Sequence, residues 1–200
     1  MSLNNELIKA GRLSIIRLLL AIFIIVGLDF SLQSQVKLDT IHWSSTYQLR
    51  WMDFQATNTD ESNHDAFSSI SVEYYPTKIN SEKIYKLSVV CYFNRKESFT
   101  RSMGSILLSH EQGHFDIAKI FSKVLESKFD EFLKLNSFLT YNQIDSIYKS
   151  IEVLWDEYDL KYDNETNYSR NSEQQKKWTK KIKAELCERC HICEPKILKR

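Results

Sequence analysis

Residues that interrupt regular structure are scarce in this sequence, which has 4 Gly and 2 Pro among 200 residues. That scarcity excludes a collagen-like chain and argues against disorder or a turn-rich β-sandwich. An excess of one charge is also missing, because 27 basic residues stand against 26 acidic residues, for a net charge of +1. A nucleic-acid surface usually needs a clear basic excess, so we expect no nucleic-acid partner. No internal repeat is visible, and the length suits one domain with its own core.

No apolar run near the N-terminus reaches the roughly 20 residues that span a bilayer. The run that is present covers only residues 18–28, follows several basic residues and ends before Asp29. A basic region, a short apolar region and a small residue at Ser34 are typical of a secretory signal peptide. We therefore expect residues 1–34 to be a signal peptide and the protein to be exported, either periplasmic or secreted. The alternative is an uncleaved N-terminal anchor that tethers the chain to a membrane through residues 13–28.

The sequence contains one His-Glu-x-x-His pattern, formed by His110, Glu111 and His114. Residues four apart on a helix lie on the same face, so both imidazoles can bind one metal ion. Glu111 is placed to reach a water molecule on that metal. The pattern therefore predicts a zinc hydrolase site, with His110 and His114 as Zn²⁺ ligands and Glu111 as the catalytic base.

A helix is predicted around this pattern. Apolar residues recur at intervals of three and four on both sides of it: Ile106, Leu107, Ile117, Phe121, Val124, Leu125, Phe129, Phe132 and Leu133. No proline interrupts residues 98–136, Thr100 or Ser102 could cap the helix, and Asn136 could end it. Gly113 is a weak helix former, and its missing side chain would let another backbone or a substrate approach the second histidine.

A short antiparallel sheet is expected before this helix. Ile70, Val72 and Tyr74 alternate with more polar residues, which predicts a half-buried strand that Pro76 ends. Residues 87–94 are apolar on both faces and predict a central strand. Two amphipathic helices are expected later in the chain, each introduced by a capping-box pattern, Thr140-x-x-Gln143 and Ser172-x-x-Gln175; the first ends near residue 160 and the second near residue 186. The whole order predicts an α+β fold.

A catalytic zinc usually has three protein ligands and one open position. The extended form of the pattern places a third histidine six residues after the second. That position, 120, is Ile in this sequence, so an oxygen ligand is expected. We take Asp163, in the polar segment between the two later helices, as the third ligand, with Glu165 and Tyr168 as alternatives. Composition alone does not choose among these and three further carboxylates on the preceding helix: Glu152, Asp156 and Glu157.

Three stretches carry a family resemblance: residues 49–54, the motif helix over 110–118 (His-Glu-Gln-Gly-His-Phe-Asp-Ile-Ala), and residues 162–168 followed by Gln175 and Trp178. Over about residues 48–182, the sequence resembles an uncharacterised bacterial family of predicted secreted zinc-dependent proteases within the zincin group. The resemblance implies a zincin-like fold and peptidase activity. The family pattern has a histidine and a glycine where this chain has Tyr168 and Ser169.

Residues 35–186 are therefore expected to form a zincin-like zinc peptidase domain that cleaves an unidentified peptide or protein substrate. Tyr168, or His64 if the fold brings it close, could donate a hydrogen bond to the oxyanion of the reaction. On the sequence alone, His64 and His42 are more simply interpreted as ordinary surface histidines. Asp116 should point away from the metal and make a structural hydrogen bond. The alternative is a catalytically weak or inactive zincin-fold binding protein of the cell envelope, which the Tyr168 departure favours.

Residues 187–200 form a tail that contains Cys187, Cys190 and Cys193. In an oxidising compartment, a disulfide is the leading interpretation of these cysteines. The alternatives are a second zinc site and haem attachment through Cys-x-x-Cys-His, which would make the chain a small redox or haem protein. Cys91 lies in a predicted strand and is expected to be a buried small hydrophobic residue.

Overall fold

A computed structural model describes residues 39–57 and 64–190 of the chain. The chain divides into two units after Thr40, and apart from residues 39 and 40 everything described belongs to the second unit. The predicted leader, residues 1–34, lies outside the described residues, as do His191 and Cys193. Within the described ranges, no helix is both long and apolar enough to cross a membrane.

The described chain is α+β, with small antiparallel sheets followed by three helices, as the sequence predicts. The strands are β1 (Thr40–His42), β2 (Ala66–Phe67), β3 (Ile70–Asn80), β4 (Lys83–Asn94) and β5 (Phe99–Thr100), with a short 3₁₀ helix at Trp51–Asp53. The helices are α1 (Ser105–Asn136), α2 (Tyr141–Thr166) and α3 (Ser172–Cys190).

Strand β4 is the central strand of a three-stranded sheet in the order β1-β4-β3, which confirms the prediction for residues 87–94. Strands β2 and β5 form a separate antiparallel pair. The prediction that Pro76 ends its strand is wrong, because β3 continues to Asn80 with register shifts on either side of Lys78. A proline is tolerated here because β3 is an edge strand of the described sheet, where a missing N–H need not break a ladder.

Helix α1 lies between two apolar clusters. One cluster joins it to the sheet through residues such as Phe93, Phe115 and Phe129. The other joins it to α2 and α3 through Ile117, Ile120, Tyr162, Trp178, Ile182 and Leu186. Because neighbours cover it on more than one side, α1 buries polar residues that an ordinary surface helix would expose.

The start of α1 differs from the prediction. Gly104, with extended backbone angles, precedes its first turn, whereas Thr100 belongs to β5 and bonds to the Ser102 carbonyl. Neither predicted cap therefore starts the helix. At the other end, Asn136 is the last helical residue, as predicted, and Ser137 adopts a left-handed conformation with φ of 63°.

Helix α2 starts at the predicted capping box of Thr140 and Gln143. It does not end near residue 160, however, but continues to Thr166. Tyr162 and Thr166 are fully buried, one turn apart, and this burial stabilises two turns whose sequence is otherwise polar. The segment expected to be a loop between helices is therefore the end of α2, and Asp163 lies on a rigid helix.

A left-handed turn joins α2 to α3. Its residues Asn167, Tyr168 and Ser169 all have positive φ, at 48°, 51° and 70°. The predicted capping box of Ser172 and Gln175 is wrong. The Asn171 side chain caps α3 instead, because its Oδ1 accepts a hydrogen bond from the backbone N–H of Gln174 at 3.1 Å. Gln175 is thereby available for contacts in the interior.

Helix α3 passes residue 186 and reaches Cys190, inside the predicted tail. Cys187 takes part in a disulfide, whereas Cys91 and Cys190 carry free thiols. A disulfide at Cys187 agrees with the leading interpretation of the tail and opposes a thioether to haem at that position. Cys91 is buried in β4, as predicted.

Candidate metal centre

Three potential ligand atoms converge where α1 meets the last turns of α2. His110 Nε2 lies 3.1 Å from His114 Nε2. The Asp163 Oδ1 atom lies 3.0 Å from the first of these nitrogens and 3.2 Å from the second. Among the described residues, these three form the group that could hold a metal ion. The two histidines meet because they are one turn apart on α1, and Asp163 reaches them because α2 extends past residue 160.

A hydrogen bond on the far side of each imidazole orients it. His114 Nδ1 lies 2.8 Å from Asp159 Oδ1, and an ionised carboxylate only accepts, so this nitrogen carries the proton. His110 Nδ1 lies 3.1 Å from Gln175 Oε1, which also only accepts. When the imidazoles are neutral, both Nε2 atoms therefore turn a lone pair towards the Asp163 carboxylate. Three acceptor atoms then meet at one point, and a cation, either a proton or a metal ion, is needed between them.

The charges of the cluster agree with its geometry. Burial raises the pKa of Asp163, but hydrogen bonds with His110 and His114 outweigh that effect and hold the pKa below its usual range. Burial lowers the pKa of His114, yet the charge and hydrogen bond of Asp159, together with Asp163, raise it well above its usual value. Asp163 thus stays ionised, and a proton and a metal ion compete for His114.

Glu111 is buried next to this cluster. The Ser68 hydroxyl donates to its Oε2 at 2.6 Å. Ser68 belongs to the segment 64–70, which runs along one wall of a cavity of about 650 Å³. His110, Glu111, His114 and Asp163 line the same cavity, whose volume falls in the range typical of ligand sites.

The other candidate residues are spread over the cavity and the surface. Tyr168 lines the cavity, with its ring centroid 5.8 Å from that of His64, which lines it too. Neither belongs to the three-residue ligand group. Arg170, two residues after Tyr168, forms an ion pair of 3.0 Å with Asp65, and this pair ties the left-handed turn to the segment 64–70.

Glu165 points to α3 instead, where its Oε2 accepts a hydrogen bond from Trp178 Nε1 at 2.8 Å. Asp156 lines the cavity outside the ligand group, while Glu152 and Glu157 are exposed on α2. His42 is exposed on β1, with its ring 5.8 Å from that of Tyr92. Of the oxygen ligands considered from sequence, Asp163 alone lies with the two histidines among the described residues.

Asp116 makes the structural contacts expected of it. Its Oδ1 accepts hydrogen bonds from Trp43 Nε1 at 2.8 Å and from Gln112 Nε2 at 2.9 Å. Gln112 in turn accepts from the backbone N–H of Leu49 at 2.8 Å. Segment 49–54, one of the stretches that carry the family resemblance, is therefore hydrogen-bonded directly to the motif helix through Leu49.

Gly113 does allow a close approach, but the approaching group is neither a backbone nor a substrate. A Cβ atom at this position would lie 2.2 Å from the Tyr162 hydroxyl and 2.7 Å from Cζ of that ring. The glycine therefore leaves room for the side chain of Tyr162, which packs against the motif helix.

Sequence reasoning missed Ser68, Asp159 and the role of Gln175. Asp159 precedes Asp163 by one helical turn, so a correct end for α2 would have placed both carboxylates on the same face. No comparable signal marked Ser68, which reaches Glu111 only through the tertiary fold.

No family model matches this chain. No curated protein and no solved structure matches it either. The resemblance over residues 49–54, 110–118 and 162–168 therefore rests on those motifs alone.

Proposed function

We propose that the protein is an exported, zinc-dependent peptidase in which His110, His114 and Asp163 hold Zn²⁺ and Glu111 is the general base. The observation that carries this proposal is the convergence of three acceptor atoms, none more than 3.2 Å from another, beside a buried carboxylate on a cavity wall. Two imidazoles and one carboxylate, with a fourth position open, are a ligand set used by zinc hydrolases.

The spacing of the three atoms supports zinc. Tetrahedral zinc with bonds of about 2.0–2.1 Å has its ligand atoms about 3.3 Å from one another. The separations of 3.0, 3.1 and 3.2 Å are close to one face of such a tetrahedron. The Asp159 carboxylate on His114 Nδ1 is the outer partner that metal-bound histidines usually have.

When bound, Zn²⁺ supplies Lewis acidity, which makes water a nucleophile near neutral pH. Glu111 takes a proton from the attacking water and delivers it to the leaving amine as the peptide C–N bond breaks. The Ser68 hydroxyl holds one oxygen of Glu111 in place during this transfer. Tyr168 and His64 line the cavity, and each carries a group that can donate a hydrogen bond to the developing oxyanion.

The wall formed by residues 64–70 supports a peptide as substrate. It includes β2, which pairs with β5 along one edge in the described sheet. An extended peptide can add to the other edge of such a strand through main-chain hydrogen bonds. The sheet followed by the motif helix also agrees with a zincin-like arrangement, and export is proposed from the character of residues 1–34 alone.

Zinc content and peptide cleavage together test this function. We expect about one zinc per purified chain, loss of zinc in Asp163→Asn, and retention of zinc in Glu111→Gln. Cleavage of a peptide library should fall about 10²–10⁴-fold in Glu111→Gln, the range typical of a lost general base. Glu157→Gln, an exposed carboxylate on α2, is the control and should behave like the parent.

Parental zinc in Asp163→Asn would reject the ligand set, and parental cleavage by Glu111→Gln would reject the mechanism. Zinc binding without cleavage of any peptide would support the alternative, a zincin-fold binding protein of the cell envelope. The Tyr168 departure favours that alternative, although Tyr168 lies outside the ligand group and its presence removes no ligand from it.

A further inference from the structure

We propose that Tyr162 and Gln175 are positioning residues that fix the tautomer and the ring plane of His110, so that the metal site is organised before metal binds. This inference rests on the proposed metal function and deepens it. Gln175 comes from α3, more than 60 residues away in sequence, so α3 would be part of the site without supplying a ligand.

The direction of each hydrogen bond can be followed from Tyr162. Its hydroxyl has one proton, which it donates to the His110 carbonyl at 3.2 Å. It must therefore accept from Gln175, whose Nε2 lies 2.6 Å away. The Oε1 atom of Gln175 then faces His110 Nδ1 at 3.1 Å and accepts its proton. The result is a closed circuit in which His110 supplies both the first acceptor and the last donor.

Two threonines independently fix the same directions. Thr179 donates its hydroxyl proton to the Gln175 backbone carbonyl at 2.8 Å, so towards the Gln175 amide it can only accept. Thr166 donates its proton to the Tyr162 carbonyl at 2.7 Å, and its oxygen lies 3.4 Å from His110 Nδ1. Both contacts require the same arrangement, with the nitrogen of Gln175 turned to Thr179 and the proton of His110 on Nδ1.

The circuit is shielded from water. Tyr162 and Thr166 are fully buried, and His110 and Gln175 are buried as well. A reversed amide would set an N–H of Gln175 against the Nδ1 proton of His110, and the other tautomer would set the Nδ1 lone pair against Oε1 of Gln175. Each buried polar group left without a partner in this way costs about 1–3 kcal/mol. The arrangement therefore holds the Nε2 lone pair of His110 towards His114 and Asp163.

Ring packing fixes the plane of the imidazole. The Tyr162 ring stacks on the His110 ring with centroids 4.6 Å apart and planes 23° apart. The edge-to-face contact of Tyr162 with His114 has a centroid distance of 5.1 Å. One tyrosine thus contacts both proposed ligands, and the space it fills is the space that Gly113 leaves open.

Metal affinity of the full chain tests the inference. The Zn²⁺ dissociation constant is measured by competition with a chelator, and the Co²⁺ absorption spectrum reports ligand geometry. We expect Gln175→Leu to bind zinc about 10–100-fold more weakly, the usual cost of losing an outer partner. Gln175→Glu should restore the affinity, because a carboxylate still accepts from Nδ1. Gln174→Leu, the neighbouring glutamine outside the circuit, is the matched control.

The outcomes separate this inference from the proposed function. Zinc binding by the parent with equal affinity in Gln175→Leu would overturn the positioning role and leave the metal site standing. No zinc in the parent would overturn both. Circular dichroism of the metal-free chains checks folding, and if Gln175→Leu does not fold, Tyr162→Phe decides. This variant keeps the ring and loses the hydroxyl, so weaker zinc binding supports the circuit and parental binding contradicts it.

Discussion

The two halves of helix α1 use the same backbone geometry for different purposes. The half from residue 105 to 118 buries apolar residues such as Phe115 and also His110, Glu111 and Gln112. The half from 119 to 136 buries mainly apolar residues such as Leu125 and Phe129. Burying polar groups costs free energy unless each finds a partner. In the first half, the partners come from other segments: Ser68, Leu49, Asp163 and Gln175.

This difference indicates which part of the helix stabilises the fold and which part depends on it. The second half contributes apolar burial against the sheet and needs no particular polar partner. The first half is held in place by the surrounding fold and supplies the site. Substitutions should therefore separate into those that change the free energy of unfolding and those that change metal affinity and turnover.

Phe129→Ala should have the largest effect on stability. Phe129 is almost fully buried and makes an edge-to-face contact with Tyr74 at a centroid distance of 5.8 Å. Its truncation should lower the free energy of unfolding by about 3–5 kcal/mol, measured by denaturant titration, while zinc stoichiometry of the folded fraction is unchanged. Leu135→Ala, at a side chain 79% exposed, is the control and should change stability by less than about 0.5 kcal/mol. Loss of zinc from folded Phe129→Ala would break the separation of the two halves.

Gly113→Ala should lower both the free energy of unfolding and the affinity for zinc. Alanine is the better helix former by about 1 kcal/mol, so an open site would gain stability. Here the added Cβ would lie 2.2 Å from the Tyr162 hydroxyl, so the ring must move and the circuit to His110 must break. We expect a net loss of about 1–3 kcal/mol in unfolding free energy together with weaker zinc binding. Gly104→Ala controls for the added methyl group, because its Cβ would meet nothing closer than 4.0 Å, and it should bind zinc like the parent.

Ser68→Ala should change turnover with little effect on the fold. It removes the 2.6 Å hydrogen bond to Glu111 and leaves the ligand cluster intact. Hydrogen bonds to charged groups contribute about 1.5–3 kcal/mol, so kcat/KM should fall roughly tenfold or more while zinc affinity stays at the parental value. Ser69→Ala removes a neighbouring hydroxyl that bonds Glu97 instead and should leave turnover unchanged. Equal turnover of both variants and the parent would show that Ser68 does not position the base.

Sequence patterns predicted the parts of the molecule that have strong periodicity. The helix around His110, the central strand and the capping box at Thr140 follow from local spacing and are present. The predicted end of α2 was wrong because residues 161–166 are largely polar. Tyr162 and Thr166 are buried there only because α1 and α3 pack around them.

The site was predictable to the extent that its residues lie in one turn of helix. His110, Glu111 and His114 belong to a local pattern, whereas Asp163 was one of several oxygen candidates. Gln175 was interpreted as a capping residue because its real partner is more than 60 residues away. Long-range hydrogen bonds of this kind leave no periodic trace in a sequence, and they are what distinguishes the first half of α1 from the second.

The smallest expected effect is a pH dependence of stability at Cys91. Burial raises the pKa of this thiol from 9.0 to about 12, with Asp116 adding to the rise and Lys119 opposing it. The Cys91 thiol on β4 therefore senses the charges of α1 residues at the junction of the two halves of that helix. Between these pKa values the unfolded chain binds fewer protons than the folded chain, so stability falls as pH rises above about 9.

Denaturant titrations at pH 8 and pH 10 check this dependence. The parent should lose about 1 kcal/mol more than Cys91→Ala between these pH values, as linkage gives for one thiol with an unfolded pKa near 9. Leu135→Ala, at an exposed side chain that does not titrate, is the control and should follow the parent. If Cys91→Ala and the parent lose stability equally, the thiol ionises in the folded chain and the sheet side of α1 is more accessible to water than its burial indicates. The contrast between a dry second half and a polar first half would then be weaker than the contacts suggest.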